Sequence, residues 1–152
     1  MLPLFKSHYS VGKSILTVIN PDKVEKGGPA SVFDIAKKNG LPEVVLVEDS
    51  LVGFLESKKV ADSLGIKLIF GLRLSMCDDM QKEIKKGSAE CSHKIIVFAK
   101  DSLGCGLLNK IYSCAFSSGR GSIDSKHLKN LYNPKHLKIA IPFYDSFLFH
   151  NF

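Results

Sequence analysis

Short apolar runs alternate along the chain with longer stretches whose apolar residues return every three or four positions. Val44-Val45-Leu46-Val47 has the β-branched continuity of a buried strand. Lys67-Leu68-Ile69-Phe70 and the run at 93–99 read the same way, and Leu137-Lys138-Ile139-Ala140-Ile141 predicts a fifth strand. A first short strand runs from Pro3-Leu4-Phe5 to Tyr9. Between them lie helical patterns. Ser31 caps a helix that turns Val32, Phe33, Ile35 and Ala36 inward and stops at Gly40-Leu41-Pro42. The stretch 51–64 predicts a second helix with Leu51, Phe54, Leu55, Ala61 and Leu64 on one side, closed by Gly65. Asp101 or Ser102 caps a third, whose inward face is Leu103, Leu107, Leu108, Ile111, Cys114 and Ala115. A short helix follows at 125–131, after a flexible loop at 117–121. The charged segment 78–87 reads as an exposed excursion. Such alternation predicts an α/β fold of parallel strands joined by right-handed helical crossovers.

The length of 152 residues fits one domain, and 45% hydrophobic residues supply enough apolar material for a core. No stretch approaches the roughly 20 apolar residues of a membrane helix, and the N-terminus has no secretory pattern. A cytoplasmic protein with no membrane partner is expected. The cysteines Cys77, Cys91, Cys105 and Cys114 form no C-x-x-C pair, which argues against zinc and disulfides. Cys105 and Cys114 sit at helical positions among apolar residues and read as core thiols. The formal charge of +6 suits work beside nucleic acid. Its late concentration in Arg120, Lys126, Lys129, Lys135 and Lys138 marks these as candidate DNA-facing residues, although a lysine-rich surface is usually only a solvated face. Gly12-Lys13-Ser14 imitates the end of a phosphate-binding loop, but Ser7 stands where the first glycine is required. No Ser-His-Asp set is evident.

Three stretches carry a family resemblance. They are Leu4-Phe5-Lys6-Ser7-His8-Tyr9-Ser10, Val44-Val45-Leu46-Val47-Glu48-Asp49-Ser50-Leu51-Val52-Gly53, and Gly65-Ile66-Lys67-Leu68-Ile69-Phe70-Gly71-Leu72-Arg73. With the strand and helix from Ser92 to Ile111, they resemble the N-terminal PHP (polymerase and histidinol phosphatase) domain of the bacterial-type DNA polymerase III alpha subunit. The resemblance implies a partial PHP-type (β/α) barrel of parallel strands with outer helices, spanning residues 1–152. It also implies a metal site built from a His-x-His near the first strand, an Asp-His after the second and a Glu after the third.

Here the ligand types are replaced. Leu4 and Lys6 fall at the His-x-His positions, Val47 and Glu48 at the Asp-His pair, and Arg73 at the glutamate. A slip of one residue would put Glu48-Asp49 at the second motif and keep part of its acidity. Ile141-Pro142-Phe143-Tyr144 also lacks the family's Cys or His. His8 is out of register, and His93 opens a strand at the end away from where such barrels gather their chemistry. The resemblance therefore implies no metal, no cofactor and no activity of the chain's own. Arg73 is expected to pair with Glu48 or Asp49, guanidinium charge standing in for metal charge.

The expected role is structural, in replication by a C-family polymerase of bacterial or phage type. The partners would be the remainder of the polymerase or a split polymerase subunit, with DNA as a further candidate. Phe143, Phe147, Phe149 and Phe152 crowd the last ten residues and are expected to form an interface. Two alternatives stay open. One is a divergent metal-dependent phosphoesterase using His8, Glu48, Asp49 and His93. The other is a stand-alone α/β binding protein.

Overall fold

In the computed structural model, the described residues are 4–5, 16–81, 93–117 and 121–143. They divide into two compact units, Met1–Leu72 and Arg73–Phe152.

In the first unit, β1 (Leu4–Phe5), β4 (Glu43–Glu48) and the opening of β5 (Lys67–Cys77) are parallel neighbours. Leu4 stands opposite Val45, Val47 opposite Gly71 and Glu48 opposite Leu72. Val44 through Glu48 are all buried, as expected of a strand covered on both faces. A separate parallel pair, β2 (Leu16–Thr17) and β3 (Ala30–Ser31), leads into α1 (Val32–Lys38). Ser31 ties the two together: its hydroxyl donates to the Ile19 carbonyl at 2.7 Å and accepts from the Phe33 N–H at 3.3 Å, capping the helix. Fully buried Val32, Phe33 and Ala36 form the inward stripe of α1.

The helix α2 (Phe54–Ser63) starts three residues later than its pattern suggested. Its buried positions are Ser57, Val60 and Ala61, and Phe54 meets Phe70 edge to face with ring centroids 5.0 Å apart. Leu55, expected to face inward, is 62% exposed because it lies on the side of the helix opposite Ser57, Val60 and Ala61. Both helices end at glycines in the left-handed region, Gly40 at φ 61° and Gly65 at φ 67°, where a side chain would be strained.

The second unit takes over within β5. Ser75 to Cys77 pair in parallel with β7 (Ser122–Asp124), and the Lys94 ammonium of β6 (His93–Ala99) bonds the Ser75 hydroxyl. Three-residue β7 escapes sequence reading because it is too short to show a period and follows the glycine-containing sequence Ser118-Gly119-Arg120-Gly121. Across β6, β7 and β8 (Leu137–Ala140) lies α3 (Ser102–Ser117). Its buried residues, Gly104, Leu108, Ile111 and Ala115, recur at i, i+4, i+7 and i+11, while Leu103 is 65% exposed. The short helix α4 (Ser125–Leu131) packs on α3.

The expectation of parallel strands throughout needs correction at β8, which runs antiparallel to β6 with Ala99 opposite Leu137 and Ile96 opposite Ala140. The turn after α4 is fastened to the exit of β6, where the Lys100 N–H donates to the His136 carbonyl at 2.9 Å. The chain thus enters β8 beside the point where it left β6 and can only run back along it. The fold class is mixed α/β, and in neither unit do the described strands close on themselves.

Candidate functional site

The residues singled out by the family resemblance fall at strand ends. Leu4 is in β1, and Lys6 and His8 lie outside the described residues. Val47 and Glu48 end β4; Val47 is 4% exposed and Glu48 has no exposure at all. Asp49, the next residue, is half-buried. The parallel registers set Leu4 and Phe5 of β1 beside Val45 and Leu46, and set Gly71 and Leu72 beside Val47 and Glu48 at the end of β4. Arg73, half-buried in β5, opens the second unit. His93 is half-buried at the start of β6. Among the described residues, no three His, Cys, Asp or Glu side chains gather closely enough to hold a metal ion.

The candidate basic residues belong to the second unit. Lys126 and Lys129 are exposed on α4, Lys135 is exposed in the following turn, and Lys138 is exposed on β8. Arg120 lies outside the described residues. Phe143 is 54% exposed, and the other tail phenylalanines are also outside.

Sequence reading missed a cleft of about 460 Å³ between α3 and α4. Asn109, Lys110, Ser113 and Cys114 line it from α3, and His127, Asn130 and Leu131 from α4. Its organising residue is Asp124, 4% exposed, which caps α4 by accepting the His127 N–H at 2.8 Å. Asp124 also accepts the Met80 N–H at 3.2 Å and lies 2.8–2.9 Å from His127 Nδ1. Burial pushes this carboxyl up, but the His127 backbone and ring and the Met80 N–H outweigh it and bring it down to about 2. An ionised carboxylate can only accept, so Nδ1 carries the proton toward Asp124 and Nε2 is the ring nitrogen left for a ligand. The readable signal was a Ser-Ile-Asp-Ser-Lys-His run, in which a helix-capping Asp precedes a His by three residues. Cys114, expected in the core, is half-buried on the cleft wall.

Because the folded carboxyl of Asp124 titrates below its unfolded value of about 4, it stabilises the fold at neutral pH. That contribution fades as the pH falls from about 4 toward 2. Asp124→Asn should therefore lower the thermal midpoint at pH 7 and flatten its decline across that acid window. Circular dichroism melts at several pH values read both effects. An unchanged acid profile would show that Asp124 is not so held.

No family model matches the chain, and no curated protein does.

Proposed function

We propose that the chain is a non-catalytic PHP-like domain of a C-family replicative polymerase, serving as a structural and interaction module in DNA replication. The observation that carries this reading is the side-by-side, parallel placement of β1, β4 and the start of β5, the strands that bear the three resembling motifs. Apolar Leu4 and Val47 occupy positions where the resemblance calls for metal ligands. An isobutyl or isopropyl group at a ligand position has no atom that could replace a cation's water. The metal-free role leaves the domain's surfaces as its working parts, and its partner is the polymerase core.

Two measurements on the purified chain test this together. After dialysis against manganese or zinc and removal of free metal, elemental analysis should find no stoichiometric ion, and an activated phosphodiester should not be hydrolysed. Mixed with a polymerase core encoded alongside it, the chain should co-elute in size-exclusion chromatography. Metal-dependent hydrolysis lost in Asp49→Asn would overturn the reading in favour of the divergent phosphoesterase. An inert chain that fails to co-elute would leave the stand-alone binding protein.

A further inference from the structure

We infer that the cleft between α3 and α4 binds single-stranded nucleic acid, with phosphate held at Lys110, a base or sugar donor met by His127 Nε2, and a base stacked on Phe116. This does not rest on the polymerase reading. It comes from the chemistry of the second unit alone.

Three observations converge there. The first is charge. From 102 to 143 the sequence has six Lys and Arg residues against one acid, Asp124, and that acid is buried under the His127 ring and two backbone N–H groups. The exposed charge on α3 and α4 is therefore of one sign, contributed by Lys110, Lys126 and Lys129. The second is the cleft's division of labour. Lys110, Asn109, Ser113 and Asn130 supply an ammonium, two amides and a hydroxyl, donors that suit phosphate oxygens. Cys114 and Leu131 supply apolar wall. The His127 ring is clamped through Nδ1, so it meets a ligand pre-oriented.

The third observation is aromatic. Phe116 is 47% exposed and packs against Tyr112, ring centroids 4.4 Å apart and tilted by 34°. Phe116 follows the cleft-lining Ser113 by three residues on α3, which puts it one helical turn beyond the cleft wall. A half-exposed ring braced by a second one is costly in water and is not needed by the core, which α3 builds from Leu108, Ile111 and Ala115. A stacking surface beside a positive groove is the arrangement that grips unpaired bases without reading their sequence. An acidic peptide would use the lysines but gain nothing from the exposed ring.

Fluorescence anisotropy of the full chain with a labelled oligothymidylate of about 15 nucleotides tests the inference. Binding should be measurable at about 50 mM KCl and should weaken strongly by about 200 mM. Phe116→Ala should weaken it roughly tenfold, with Phe116→Trp restoring it. Lys110→Gln should weaken it and reduce the slope of log affinity against log salt by about 0.7. Lys38→Gln removes a lysine paired with Asp34 on α1 and should leave affinity unchanged. Equal binding by the Phe116→Ala variant, equal affinity for a duplex or for polyglutamate, or no binding at low salt would each overturn it. Binding without polymerase association would leave the inference standing and remove only the polymerase reading.

Discussion

Gly104→Ala is expected to destabilise the second unit by about 3 kcal/mol or more, lowering the thermal midpoint by roughly 10 °C. Gly104 is buried in the first turn of α3, where a Cβ would fall well inside contact distance of the His136 carbonyl oxygen. It would also stand 3.2 Å from the His136 carbonyl carbon and 3.4 Å from Ala99 Cα. All of these are backbone atoms, which cannot swing aside as a flexible side chain would.

The carbonyl is also pinned. It accepts from the Lys100 N–H at 2.9 Å, and the His136 ring is 2.7 Å from Asp101, whose other oxygen accepts the Gly104 N–H at 2.8 Å. His136 and the Gly104 N–H hold the Asp101 carboxyl below its usual range, so this carboxylate stays ionised at neutral pH. Alanine's helix propensity offers up to about 1 kcal/mol in the opposite direction, and the clash outweighs it. Gly106→Ala isolates that term, because a Cβ there meets nothing within 4 Å. Urea titration should find Gly106→Ala slightly more stable than the parent and Gly104→Ala far less so. Equal stabilities for the two would mean that α3 does not press on the 132–136 turn.

The same clasp explains what the sequence could and could not announce. Strands at Val44-Val45-Leu46-Val47 and Lys67-Leu68-Ile69-Phe70 were legible because covered strands need unbroken apolar runs, and helix ends were legible at Ser31, Gly40 and Gly65 because caps have local chemistry. The direction of β8 was not legible. It depends on a long-range bond between Lys100 and His136, and a run such as Leu137-Lys138-Ile139 reads alike in either direction. Leu55 and Leu103 are apolar yet exposed, because the buried stripes run through Ser57, Val60 and Ala61 in α2 and through Gly104, Leu108, Ile111 and Ala115 in α3, where small residues rather than leucines mark part of the packed face. The strand-end positions Val47 and Glu48 came from motif alignment and do lie at the end of β4. The cleft residues Asn109, Lys110 and His127 come from helices joined by a loop and a strand, and no local spacing in the chain puts them together.

Glu48→Ala is expected to cost about 3–5 kcal/mol, the loss typical of breaking a buried charged interaction by removing one side of it. Glu48 ends β4 with no exposure, beside Leu72 of β5 and after four buried valine and leucine residues. A carboxyl group in such surroundings is tolerated only where other groups satisfy it, and truncation takes that partner away from them. Glu48→Gln keeps the volume and most hydrogen bonding, so it should cost distinctly less than Glu48→Ala. The comparison also separates the structural role from the phosphoesterase alternative, because the two predict opposite signs. Acidic metal ligands repel one another when the metal is gone, so removing one from a true metal site relieves strain in the stripped protein. Urea titration in the presence of a chelator should therefore show Glu48→Ala strongly destabilised if Glu48 is a structural anchor. A variant as stable as the parent, or more so, under those conditions would identify Glu48 as a ligand held ready for a cation, and the non-catalytic reading would fail.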